Sequence, residues 1–180
     1  MHSIIRKLMM TLMAVMAMAG AWAQASAPAM PEAVINLNRF TGEWQANVTS
    51  TMGDKTYQFD YTVKASPVAG GRGSYWEEWG THPDLGEMHS SDLLGFNSAD
   101  KKLHCYTVDN MGTTVDQICE WKSPDHLYIE YKGIQNGKQV INKTDLNLTS
   151  DDEMSFTGSA VVDGKTQWSG SGTFHKVTEK

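Results

Sequence analysis

The chain has 180 residues, with 15 Lys and Arg against 21 Asp and Glu, a formal net charge of −6, and 40% hydrophobic residues. An acidic balance with no basic stripe argues against nucleic acid and anionic membrane surfaces as partners. The length suits one domain with a single sizeable core.

Met1 to Ala23 starts with Arg6 and Lys7, runs apolar from Leu8 to Ala21, and ends in Ala21-Trp22-Ala23, a small-x-small cleavage pattern. This reads as a secretory signal peptide over residues 1–23, with Ala25 as the alternative cut. The apolar run is shorter than the roughly 20 residues of a spanning helix, so no membrane span is expected after its removal. A periplasmic or secreted location is the expectation. Six of the 11 Met residues lie in this leader, and losing Arg6 and Lys7 leaves 13 basic against 21 acidic residues.

Residues 24–31 read as an Ala/Pro linker, and 32–180 as the folded domain. Pro31 to Phe40 suits one or two helical turns: Pro and Glu32 favour a helix start, and Val34, Leu37 and Phe40 recur at helical spacing. From Trp44 the period changes to two. Trp44, Ala46 and Val48 alternate with polar neighbours in strand one. Tyr57, Phe59, Tyr61 and Val63 form one face of strand two. Strand three reads Ser-Tyr-Trp-Glu-Glu-Trp-Gly over 74–80, and strand four covers 89–96. The stretch Leu93 to Trp121 contains two turns, at 97–100 and 109–112, and strands five and six beside them. Strands seven to ten follow around Leu127, Gln139, Met154 and Gln167. Asn136-Gly137 and Asp163-Gly164 are strong two-residue hairpin signals. About ten short strands joined by tight turns predict an all-β fold, a single up-and-down antiparallel barrel with a short N-terminal helix. A two-sheet sandwich is the alternative.

Cys105 and Cys119 fall on the strands either side of the Met111-Gly112 turn. In an exported protein they suggest a disulfide, which requires a register that sets them directly opposite each other. Two buried thiols are the alternative.

An ordered set of motifs carries a resemblance. Gly42-Glu43-Trp44 after a short helical turn is similar to the opening of lipocalin-like, or calycin, barrels. Gly70-Gly71-Arg72, Leu93-Leu94-Gly95-Phe96, and Tyr106-x-x-Asp109-x-Met111-Gly112-Thr113 leading to Glu120-Trp121 resemble domain of unknown function family 1579 over roughly Phe40 to Val177. The resemblance implies a lipocalin-like barrel in exported bacterial proteins and no established activity. The two cysteines, Trp76 and Trp79 depart from that pattern.

A barrel of this size fills its interior with side chains or holds one small ligand. The expected partner is a small, mostly apolar ligand, with Tyr57, Phe59, Tyr61, Trp76, Glu77, Trp79, Tyr106 and Trp121 as candidate lining. Either Glu77 or Glu78 must share the inward face, where a carboxyl needs a partner or a raised pKa; Arg72 and Lys64 are candidate partners. An acid/base role for Glu77 or Asp92 at the barrel mouth, and a non-catalytic interaction module, are the other readings. His82, Asp84, Glu87 and His89 match no metal-ligand template, and neither a hydrolase elbow nor a phosphate loop is present. No catalytic residue, metal or cofactor is therefore assigned.

Overall fold

Asn136-Gly137 and Asp163-Gly164 each place two successive residues at positive φ, 50° and 76° in the first and 48° and 78° in the second. This backbone matches the twist of paired strands and turns the chain in two residues. Successive side chains of each strand then point to opposite faces, so the sheet has one inner and one solvated face. The computed structural model describes residues 29–178. The leader expected at 1–23 and linker residues 24–28 lie outside the described residues.

Helix α1 (Glu32–Leu37) and a 3-10 turn (Asn38–Phe40) precede ten strands: β1 (Gly42–Met52), β2 (Lys55–Val68), β3 (Gly73–His82), β4 (Gly86–Asn97), β5 (Lys102–Asp109), β6 (Thr114–Ser123), β7 (His126–Gln135), β8 (Lys138–Leu148), β9 (Glu153–Val162) and β10 (Lys165–Lys176). Each strand pairs antiparallel with its neighbour in sequence, and β1 also pairs with β10, so the sheet closes into a barrel. Closure satisfies the backbone groups that an open sheet would leave on its two edges. The up-and-down barrel with a short N-terminal helix is therefore the observed architecture, and the sandwich is not.

One end of the barrel is plugged. Val34, Leu37 and Phe40 are each at most 1% exposed. The Phe40 ring centroid lies 5.2 Å from that of Trp76 and 5.9 Å from that of Trp121. Indole N–H groups lock the segment down: Trp44 Nε1 donates to the Phe40 carbonyl at 2.7 Å, and Trp121 Nε1 to the Ala33 carbonyl at 3.0 Å. The Lys176 ammonium sits 5.0 Å over the Trp44 ring and covers this end from outside. The hairpin turns that follow β1, β3, β5, β7 and β9 gather at the opposite end.

The expected disulfide is absent. The β5–β6 register pairs Leu103 with Cys119 and Cys105 with Gln117, so the cysteines are diagonal neighbours on the inner face. Diagonal positions are too widely separated to bridge. Both thiols are free and buried. The neighbouring Cys119 thiol and burial push the Cys105 thiol well above its ordinary range.

Candidate ligand-binding cavity

Above the plug the barrel encloses a cavity of about 430 Å³. Its walls are built by the inward half of each strand's alternation. Val48, Phe59, Val63, Trp76, Met88, Ile129, Leu146, Met154, Phe156, Trp168 and Phe174 supply apolar lining. The glycines of β9 and β10 make room for the largest of these side chains. A Cβ at Gly170 would fall 2.6 Å from Trp168 Cζ2, and one at Gly158 would fall 2.8 Å from Trp168 Cη2. Trp168 Nε1 donates to Ser50 Oγ at 2.9 Å, which orients the indole along the wall.

The polar lining is concentrated on β3, β4 and β5. Glu78 faces inward from β3, opposite Val63 on β2 and Ser90 on β4. Its residual accessible surface belongs to the cavity lining. Tyr61 Oη donates to Glu78 Oε2 at 3.1 Å. The tyrosine ring reaches this position because it lies over Gly80, its direct cross-strand partner, where a Cβ would fall 2.6 Å from Tyr61 Cδ2. Asp92 is 6% exposed and pairs across β3–β4 with Trp76, which makes it the diagonal neighbour of Glu78. The Thr107 hydroxyl donates to Asp92 Oδ1, and the Cys105 thiol reaches the same oxygen at 3.6 Å.

Glu78 and Asp92 are diagonal neighbours on the inner face, close enough for each to act on the ionisation of the other. Burial in the barrel, reinforced by the Asp92 charge, pushes the Glu78 carboxyl up to about 8. Burial also raises Asp92, while the Thr107 and Cys105 donors and the neighbouring Glu78 hold it down. Of the two, Glu78 is therefore the carboxyl that keeps its proton to the higher pH. Burial and the Glu78 carboxyl together hold the Tyr61 phenol well above its usual range.

His82, at the far end of β3, is 2% exposed and lines the same cavity. Its ring lies 4.5 Å from the Tyr57 ring and 5.1 Å from the Phe59 ring, centroid to centroid. Nδ1 accepts the backbone N–H groups of Asp84 and Leu85 at 3.1 and 3.3 Å. That assigns the ring proton to Nε2, which has no hydrogen-bond partner. Tyr57 Oη donates to Asp84 Oδ2 at 2.5 Å, and Lys55 bridges to the same oxygen at 2.9 Å, so the mouth loop is held from the β1–β2 side.

The structure brings together only part of the residue set expected from sequence. Phe59, Tyr61 and Trp76 line the cavity, and the Tyr57 ring lies tilted against that of His82 at its mouth. Glu77 and Trp79 share the outer face of β3, where Glu77 pairs with Lys64 and Ser91. Tyr106 is 49% exposed on the outside of β5. Trp121 belongs to the plug. Strand three carries aromatic residues on both faces, so its alternation does not say which glutamate points inward. Glu78, His82 and Thr107 are the polar residues that the aromatic pattern could not single out. Glu87 and His89, considered with His82 as metal ligands, are exposed. Among the described residues no group of three or more potential ligands converges.

Fold and site together define the class: a closed ten-stranded antiparallel barrel of calycin type with an interior cavity. A family model described as protein of unknown function (DUF1579) matches residues 35–176, and the chain belongs to that family. No curated protein matches it significantly. Among solved structures it is similar to an S-type phycobiliprotein lyase from Guillardia theta, with a TM-score of 0.57 and 9% identity over 80% of this chain and 92% of that one. It is also similar to a protein of unknown function from the DUF3598 family of Nostoc punctiforme, with a TM-score of 0.53 and 10% identity over 78% of this chain and 49% of that one. At these identities the likeness is one of fold.

Proposed function

We propose that this is an exported binding protein that holds a small, mostly apolar ligand inside the barrel. The observation that carries the reading is the cavity of about 430 Å³ with a mostly apolar wall and its two carboxyls on the neighbouring strands β3 and β4. That combination is how barrels and other pockets hold small organic molecules: area burial supplies affinity, and a few polar groups fix orientation. The phycobiliprotein lyase of similar fold supports a role for this kind of barrel in handling an organic group. The leader at Met1 to Ala23 supports export, which sequencing the mature N-terminus from an envelope fraction tests.

Ligand binding is tested with Nile red, a neutral polarity-sensitive dye. Saturable one-to-one uptake, lost in the cavity-filling variant Val48→Trp, is the expected result. Absence of saturable uptake, together with no co-purifying mass in native mass spectrometry, overturns the reading.

A second reading rests on the Glu78–Asp92 pair. Two interior carboxyls that share one proton form an acid and its conjugate base side by side, the arrangement general acid–base catalysis uses. Turnover of reporter esters or glycosides by the wild type and not by Asp92→Asn would establish it. Equal background rates in both would remove it.

A further inference from the structure

The carboxyl pair narrows the chemistry of the ligand. Every donor that reaches it is neutral: the Tyr61 phenol, the Thr107 hydroxyl and the Cys105 thiol. No lysine or arginine lines the cavity among the described residues. The titratable groups facing the pair are Tyr61 from β2, His82 from β3 itself and Cys105 from β5, with Asp109 at longer range from the end of β5. Any charge that the two carboxyls carry therefore stands in an apolar enclosure with no counter-ion among the described cavity-lining residues. An uncompensated buried charge of this kind is costly. A bound anion would add a further charge of the same sign, and a bound cation would supply the counter-ion that the cavity wall does not.

A second group in the same cavity also lacks what a ligand could supply. His82 is 2% exposed, its Nδ1 is occupied by two backbone donors, and its Nε2 proton has no acceptor. It lies four residues beyond Glu78 on the same face of β3, about 13 Å along the strand. Polar capacity is thus left at two levels of one apolar chamber.

Resting on the binding role proposed above, we propose that the ligand is a cationic amphiphile. Its protonated amine sits on Glu78 and Asp92, its apolar body lies against Phe59, Met88 and Trp168, and a neutral acceptor atom toward the mouth takes the His82 proton. Seating the ammonium on the pair displaces the shared proton from Glu78 to solvent. The amine then donates to the two carboxylates in place of that proton. This selects against fatty acids and other carboxylate ligands, which many apolar cavities accept.

The test compares decylamine, 1-decanol and decanoate, three probes with the same chain and a cationic, neutral or anionic head. Binding is followed at pH 7, where Glu78 still holds its proton, by tryptophan emission, since Trp76 and Trp168 line the cavity, and by calorimetry in buffers of different ionisation enthalpy. Decylamine is expected to bind about tenfold or more tighter than decanol, the worth of one charge-assisted interaction, with decanoate weakest. It should release roughly one proton per molecule bound. Asp92→Asn should reduce decylamine to the affinity of decanol. Glu78→Gln, the closer isostere, should abolish the proton release even if Asp92→Asn folds poorly. Equal or better binding of decanol or decanoate overturns the cationic assignment and leaves the binding role standing. Failure of all three probes to bind overturns both. An amine preference that survives in both variants also overturns the assignment, because the amine would then be recognised elsewhere.

Discussion

Tyr61 and Glu78 are diagonal neighbours across β2 and β3, with the phenol donating to the carboxyl at 3.1 Å above the bare backbone of Gly80. This contact connects the apolar wall of the cavity to the buried acid pair. It makes the ionisation of Glu78 a readable property of the fold. With Asp92 beyond it, the groups run from the phenol to two carboxyls in succession.

Stability should fall as pH rises from about 5 to about 8. The Glu78 carboxyl stands at about 8 in the native protein and returns to an ordinary value near 4.5 when the chain unfolds. Between those values the native state holds a proton that the unfolded state has lost, so deprotonation favours unfolding. His104, raised by Asp116 and Asp100, acts in the same direction as pH climbs past its ordinary range. The discriminating measurement is urea unfolding of wild type and Glu78→Gln at pH 5.5 and 8.5. The wild type should lose on the order of 1–3 kcal/mol more than the variant across this interval. Parallel losses would show that Glu78 is not the group responsible.

Tyr61→Phe removes the phenol that donates to Glu78 from β2 and should raise the Glu78 carboxyl further, since that bond favours the charged form. Carbon-detected NMR titration of the glutamate carboxyls reports this directly. The variant should also lose about 1 kcal/mol of stability at neutral pH, the net value of one hydrogen bond. A Glu78 titration that moves down instead would mean that the phenol does not donate to it.

Phe40→Ala should destabilise the protein by about 3–5 kcal/mol, because the ring is 1% exposed and wedged between Trp76 and Trp121. The plug is continuous with the floor of the cavity through Trp76. The near-ultraviolet circular dichroism of these tryptophans should therefore weaken along with the unfolding midpoint. A loss below about 1 kcal/mol would show that the plug is not part of the cooperative core.

Both cysteines should titrate as free thiols in protein denatured without reductant. In the native state they should react slowly with an aromatic disulfide reagent, because both are buried and the Cys105 thiol is held well above its usual range. Fast native labelling would mean that this part of the wall opens readily. No free thiol after denaturation would mean a β5–β6 register different from the one described.

Much of this architecture is legible in the residues themselves. The Asn136-Gly137 and Asp163-Gly164 turns, the period-two runs between them and the helical spacing of Val34, Leu37 and Phe40 are local features, and local sterics decide them. The Gly42-Glu43-Trp44 opening and the motifs around Leu93 to Trp121 likewise point to the family. The interior is a different matter. Strand three has tryptophan on both faces, so alternation cannot choose between Glu77 and Glu78. Only barrel closure, which assigns one face of every strand to the inside, makes the choice. The register of β5 on β6 decides that Cys105 faces Gln117 and not Cys119, and a slip of two residues keeps the same inward pattern. The acid pair is likewise a product of pairing across strands: Tyr61, Glu78, Asp92 and Thr107 come from four different strands. Residue order sets which side chains can share a face; hydrogen-bond register around the closed sheet decides which of them meet.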